Sequence, residues 1–295
     1  MRKLIIFIIT AMMIFSFTAC KDNTINKITG ADYPITVWGV EIESCPQNVI
    51  CLSPAITDII TALGSDAQLV GVSDNCDNDR SLDTFGSSVL PDVDKIIKSN
   101  AEIIIADENL SDEAKNKIAE SGKSVMIYPA VEKYADIEKL YESVASIFSG
   151  YSTGGENAKN TFERISKRID TVKSKTKSEK AVNAVILLSD AVAAPKNTIY
   201  DEMLTIAGGK NIAGNSYSFD YAEIAKKNPQ HIFCPTDMVE DIKNDKALSK
   251  IDAVKKGNIT AFSPLYFERY GENFALGVEI MASALHPNSV KSPIR

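Results

Sequence analysis

The stretch that most restricts the architecture lies in the middle of the chain. Residues 153–180 read TGGENAKNTFERISKRIDTVKSKTKSEK. Ala158, Phe162, Ile165, Ile169 and Val172 recur at spacings of three and four, the mark of one helical face. The rest is mostly Lys, Arg, Glu and Asn, so a narrow apolar stripe faces a wide solvated surface. This predicts one long helix. Gly154-Gly155 is expected to break whatever helix precedes it. A flexible linker would be rich in Gly and Ser throughout. This connector, taken as residues 151–176, is stiff instead, so the units it joins are held at a fixed spacing.

On both sides of it, strand and helix patterns alternate. Before it, apolar runs of strand length at 49–52, 69–72, 103–106 and 125–128 are separated by helical patterns at 54–63, 93–98, 111–120 and 137–148. After it, strands are expected at 182–188, 232–234 and 259–262, and helices at 201–207, 222–227 and 271–285. Alternation of this kind implies a mainly parallel sheet covered on both faces. AGGKNIAG, from Ala207, follows a helix rather than a strand and reads as a helix C-cap. A faint internal echo supports two similar units: DVDKIIKSNAEIIIA (92–106) aligns without gaps on DYAEIAKKNPQHIFC (220–234). The expected fold is α/β, two Rossmann-like lobes (47–150 and 177–295) joined by a single long rigid helix. The chain, at 295 residues, is long enough for both.

The N-terminus reads MRKLIIFIITAMMIFSFTAC, with two basic residues, an apolar stretch and then small residues before Cys20. Those are the parts of an export signal, here residues 1–19. The apolar stretch is short for a membrane span of about 20 residues. FTAC resembles a lipobox, with Cys20 as the acylated residue. An uncleaved anchor is the alternative, and both place the body outside the cytoplasm beside a membrane. The segment 20–46 turns polar and is expected to be a flexible tether, with the sole tryptophan, Trp38, inside it. The net charge of −7 argues against a nucleic-acid backbone as partner. Among the remaining cysteines, Cys51 and Cys234 sit in apolar runs and read as core residues, Cys76 shows no zinc spacing, and Cys45 with Cys51 is the first pair to test for a disulfide.

In open α/β sheets, ligands bind beyond the carboxyl ends of the strands. The residues there are Ser53-Pro54, Ser73-Asp74-Asn75, Asp107-Glu108-Asn109, Ser189-Asp190, Pro235-Thr236-Asp237 and Ser263-Pro264-Leu265-Tyr266. Ser53 with Pro54 is a helix start, so it caps a helix and turns that helix's N-terminus toward the rim. Two such rims facing each other make a cleft. A catalytic reading finds little support. His231 opens a buried strand and His286 ends the last helix, and no nucleophile elbow, phosphate loop or histidine-rich metal cluster occurs. No metal site and no resident cofactor are expected.

The order of segments resembles one family. NVICLSPAITDIITALGSDAQLVGVSDNCD, from Asn48, is similar to the opening of the substrate-binding proteins of ABC importers for cobalamin, ferric siderophores and haem. PDVDKIIKSNAEIIIA is similar to the family's helix–turn–strand unit, with Ala101 where proline is usual; DEMLTIAGGKNIAG, YAEIAKKNPQHIFC, AVKKGNITAF and LHP follow in family order. Phe267-Glu268-Arg269 matches the FER loop of the cobalamin binder. Phe85 stands where that protein has a tryptophan, Asn75 near an expected tyrosine, and Leu265 where an acidic residue is expected.

The resemblance implies a monomeric extracytoplasmic lipoprotein and no covalent chemistry. It implies a metal chelate held between the lobes, a corrinoid first, then a ferric siderophore or haem. The ligand residues it points to, with the strand-end reading, are Ser53, Pro54, Asp74, Asn75, Phe85, Asp107, Asp190, Tyr266, Phe267 and Arg269. It also implies docking to an ABC permease with its ATPase through one carboxylate on each lobe. Asp94 fits the first position. Ala222 occupies the second, with Glu223 beside it. The rival readings are a hydrolase or metal-dependent enzyme on the same lobes, and an adhesion or scaffold lipoprotein.

Overall fold

The computed structural model describes residues 26–27, 32–76, 81–190, 192–218 and 220–293. The leader and Cys20 lie outside them. A small antiparallel sheet comes first, formed by β1 (Asn26–Lys27), β2 (Ile35–Val37) and β3 (Val40–Ile42). β2 and β3 are joined by Trp38-Gly39, both at positive φ (49° and 80°), the geometry of a two-residue hairpin turn. Ile35, Val37 and Ile42 are buried in the main core. The expected tether therefore does not extend to residue 46. Alternating apolar residues from Ile35 onward belong to the folded body.

The N-terminal lobe is a five-stranded parallel sheet of order β6-β5-β4-β7-β8. Its elements are β4 (Val49–Cys51), α1 (Pro54–Ala62), β5 (Leu69–Val72), β6 (Asp83–Thr84), α2 (Val93–Lys98), β7 (Ile103–Ala106), α3 (Asp112–Glu120), β8 (Ser124–Ile127) and α4 (Tyr134–Ser149). Chain order reverses at β4, which pairs with β5 on one side and β7 on the other. β4 and β7 are buried along their whole length, which is why both read as unbroken apolar runs rather than alternating ones.

α5 (Tyr151–Thr176) is the long helix. Ala158, Phe162, Ile165, Ile169 and Val172 are all buried on it. The break before it is Gly150, at φ 74°, and not Gly154-Gly155, which lie inside α5. Gly154 serves close approach: a Cβ there would lie 2.8 Å from the Ala145 backbone of α4.

The C-terminal lobe comprises β9 (Val182–Ser189), β10 (Val192–Ala193), α6 (Ile199–Ile206), β11 (Gly209–Asn211), α7 (Tyr221–Lys227), β12 (His231–Cys234), α8 (Val239–Asn244), α9 (Asp252–Lys255), β13 (Ile259–Ala261), α10 (Leu265–Glu268) and α11 (Glu272–Leu285). Its sheet has the order β10-β9-β12-β13, with β11 parallel to the start of β9 and β10 antiparallel to its end. Gly208, at φ 85°, does end α6, but the next residues enter the sheet as β11.

The internal echo is structural. Asp92 and Asp220 are the N-cap residues of α2 and α7, and β7 and β12 follow at equivalent positions.

A continuous apolar cluster links the lobes, running from Val49 and Ile60 through Tyr141, Phe162 and Ile169 to Phe233 and Phe274. Arg168 of α5 adds a bidentate pair with Glu279 of α11, at 2.8 and 2.7 Å. The strut is thus packed into both lobes. Cys45, Cys51, Cys76 and Cys234 are free thiols. Cys51 lies inside β4 with its Sγ donating to the Ser53 carbonyl, and it is not bonded to Cys45, the pair that the sequence put first for a disulfide test. Among the described residues no helix is long and apolar enough to cross a membrane.

Candidate functional site

A cavity of about 990 Å³ lies where the strand-end loops of the two lobes meet. From the N-terminal lobe it is lined by Ser53, Pro54, Ser73, Asn75, Ser87, Ser88, Asp107, Glu108, Asn109 and Tyr128. From the C-terminal lobe come Asn197, Thr198, Tyr200, Tyr217, Leu265, Phe267, Glu268, Arg269 and Tyr270. Such a volume is in the range of small-molecule sites, about 300–1,000 Å³. The N-terminal half sits at the end of β4, where the strand order reverses and where open α/β sheets leave a crevice.

Ser53 is the floor of that half. Its Oγ accepts from the Ile56 amide at 3.4 Å and its carbonyl accepts from Thr57 at 2.9 Å, so it caps α1. The same Oγ lies 3.0 Å from the Tyr128 hydroxyl. Ser53 is only 2% exposed. Its main work is to hold the turn and to seat Tyr128. Ser88 ties two strand ends together: its Oγ donates to the Leu52 carbonyl and accepts from the Asp107 amide.

The Phe267-Glu268-Arg269 loop crosses the gap. Phe267 is buried against Phe262 and Tyr200, both at 4.7 Å between ring centres. Glu268 is exposed at the cavity. Arg269 is 3% exposed and reaches into the other lobe, with Nη1 donating to Asp58 Oδ1 of α1 at 2.7 Å and Nη2 to the Asn75 carbonyl at 3.0 Å. The arginine therefore binds lobe to lobe before it binds anything else.

Burial first, and then neighbouring charge, shapes the tyrosines. Tyr200 is pushed up to about 12, with Tyr217 and Glu268 adding to burial. Tyr128 and Tyr270 are also raised by burial, and both feel Asp107. These phenols stay protonated and offer neutral O–H groups.

Six of the expected ligand residues line this cavity: Ser53, Pro54, Asn75, Asp107, Phe267 and Arg269. Four do not. Phe85 is 3% exposed and packs against Gly71, whose missing Cβ would stand 2.2 Å from its ring. Tyr266 turns toward Phe262 and Gly277. Asp74 is exposed and accepts from the Gly86 amide at 3.2 Å. Asp190 lies at the β9–β10 turn, where its charge is felt by Tyr221.

The residues that were missed are mainly Tyr128, Tyr200, Tyr217 and Tyr270. Tyr128 was readable as the residue ending an apolar run; the others lie in loops or on a short helix with no periodic signal. Trp38, expected in the tether, sits in the β2–β3 turn of the folded body. Its ring centre lies 6.1 Å from that of Tyr128, next to the cavity wall.

The two histidines stay away from the cavity. His231 is buried, its Nε2 lies 2.8 Å from Thr260 Oγ1, and burial holds it down at about 4. The His286 Nε2 lies 3.0 Å from the Gly208 carbonyl. Among the described residues no group of three or more His, Cys, Asp or Glu is placed to hold a metal ion. Asp94 is exposed in the first turn of α2. Glu223 is exposed in the first turn of α7, one position further along than Asp94 in its own helix, and pairs with Lys227 at 2.8 Å.

Comparison with known proteins gives three findings. The profile of the family described as "Periplasmic binding protein" matches residues 49–264. A Bacillus subtilis (strain 168) protein named "Uncharacterized ABC transporter substrate-binding lipoprotein YvrC" is 24% identical over 285 residues, covering 88% of each chain. Two solved structures share the fold. One is a periplasmic haem-binding protein from Pseudomonas aeruginosa, with a TM-score of 0.72 at 16% identity over 83% of this chain and 94% of that one. The other is the vitamin B12 binding protein BtuF of Vibrio cholerae, with a TM-score of 0.66 at 18% identity over 81% of this chain and 96% of that one.

Proposed function

Since the chain belongs to the periplasmic binding protein family, whose members serve ABC transporters as substrate-binding proteins and not as enzymes, we propose that it is the lipid-anchored, extracytoplasmic receptor of a metal-chelate importer. Cargo is held between the lobes and passed to a permease driven by its ATPase. The observation that carries this reading is the cavity of about 990 Å³, walled by strand-end loops of both lobes and large enough for a chelate. A corrinoid leads, with ferric siderophores and haem behind it. Structural relatives named for haem and vitamin B12 support a chelate without choosing between them.

Cys20 is the anchor in this reading. It rests on the leader sequence and on the lipoprotein name of the Bacillus subtilis relative. Asp94 and Glu223 are the docking carboxylates, one on each lobe at the start of matching helices. Exposed pairs of this kind contribute under about 1 kcal/mol each and act mainly on orientation and recognition. The packing of α5 into both lobes supports a small closure on binding.

The test is the double substitution Asp94→Ala with Glu223→Ala, measured as chelate uptake by cells and as chelate affinity of the purified protein. Uptake should fall while affinity stays within twofold. Unchanged uptake would remove these carboxylates from docking, and absence of any chelate binding by the parent protein would remove the importer reading itself.

A further inference from the structure

Resting on that reading of the cavity, we propose that it selects a chelate that is neutral or positively charged and rejects anionic ones. The charge of the lining carries this. Asp107, Glu108, Glu132 and Glu268 are carboxylates, and among the described residues Arg269 is the single cationic side chain in the wall. That arginine is already matched: its guanidinium faces Asp58 at 2.7 Å and the Asn75 carbonyl at 3.0 Å, and only 3% of it is exposed.

The four carboxylates are not one local cluster. Asp107 and Glu108 follow β7, Glu132 precedes α4, and Glu268 ends α10, so they come from both lobes around one space. Asp107 of the N-terminal lobe raises Tyr270 of the C-terminal lobe as well as Tyr128 on its own side, and Glu268 raises Tyr200 and Tyr270 within the C-terminal lobe. The remaining polar wall is neutral, made of serine, asparagine, threonine and tyrosine groups suited to amides and hydroxyls.

A cleft lined by one sign of charge between low-dielectric walls concentrates ligands of the opposite sign. Haem, whose two propionates leave it anionic in either iron state, meets repulsion and finds no spare cation in the described wall to pair with. A ferric tricatecholate, with three negative charges, fares worse. At water-like dielectric and a separation of about 9 Å, each carboxylate shifts the preference for a monocation over an anion of one or two charges by about five- to tenfold.

The experiment is a Trp38 fluorescence titration of the full mature chain, since Trp38 lies 6.1 Å from Tyr128 of the cavity wall. The probes are aquacobalamin and a ferric trihydroxamate bearing a free ammonium, both monocations, against haem and a ferric tricatecholate. At least one monocation should bind at least about tenfold tighter than either anion at low salt, and the margin should shrink as salt screens it. The variant Glu132→Gln with Glu268→Gln, both exposed positions, should narrow the margin by a further tenfold or more. Tightest binding of haem or the tricatecholate overturns the charge selection and leaves the importer reading standing. An unchanged margin in the double variant also overturns it. Quenching by none of the four overturns both.

Discussion

Replacing Arg269 by alanine should loosen the molecule more than any other single change at the cavity. Arg269 sits in the loop after α10, while Asp58 is on α1 of the other lobe, and the pair closes at 2.7 Å. The arginine side chain is 3% exposed and the aspartate 29%. Removing one partner of a fully buried pair costs about 3–5 kcal/mol. Here water can reach part of Asp58, which lowers that figure to about 2 kcal/mol, and the lost bond to the Asn75 carbonyl adds about 1 kcal/mol. The expected total is about 3 kcal/mol. Asp58→Asn keeps an acceptor in place and should cost about 1–2 kcal/mol. The double variant should cost clearly less than the sum, with a coupling of about 1–2 kcal/mol. Urea unfolding followed by Trp38 fluorescence reads all three. A cost below about 0.5 kcal/mol for Arg269→Ala, or strict additivity, would refute the claim that this pair ties lobe to lobe.

Other expectations follow from the same geometry. His231 is held down at about 4 by burial, against about 6.5 in the unfolded chain, so the unfolded state takes up more protons between those values and stability falls as pH drops through that window. Between pH 7 and 4.5 the parent should lose about 2.5 kcal/mol more than His231→Gln in urea unfolding, and parallel losses would refute this. Phe85→Ala should cost about 3–5 kcal/mol because it empties the space over Gly71, yet leave chelate affinity within twofold, since Phe85 lines the core and not the cavity. Tyr128→Phe removes the contact to Ser53 Oγ and should cost about 1 kcal/mol by thermal or urea unfolding, with a measurable loss of chelate affinity.

The elements that sequence reasoning located are those whose burial is one-sided or complete. β4 and β7 read as strands because every residue is buried, and α5 read as a helix because its stripe is. The hairpin of Ile35–Val37 and Val40–Ile42 went unseen because its polar surroundings suggested a tether. Its signals were there, in Ile35, Val37, Val40 and Ile42 flanking a glycine-containing turn. Gly154-Gly155 looked like a helix break because glycine is a poor helix former, but Gly154 packs closely on α4 and the helix runs through both, Gly155 facing open space. At the site, strand ends located Ser53, Asn75 and Asp107. Which way an aromatic faces is decided by its partners across the fold, so Phe85 and Tyr266 were assigned to the ligand when Gly71 and Gly277 in fact receive them. The tyrosines of the C-terminal lobe lie outside any strand-end pattern and became visible only once the lobes were brought together.

Binding of a metal chelate between the lobes is tested by calorimetric titration of the purified chain, beside the variant Ala130→Trp, whose new side chain would stand in the cavity lining. One chelate should bind with one-to-one stoichiometry, and the variant, still folded, should lose most of that affinity. Equal binding by both proteins, or no chelate bound by either, would contradict binding between the lobes.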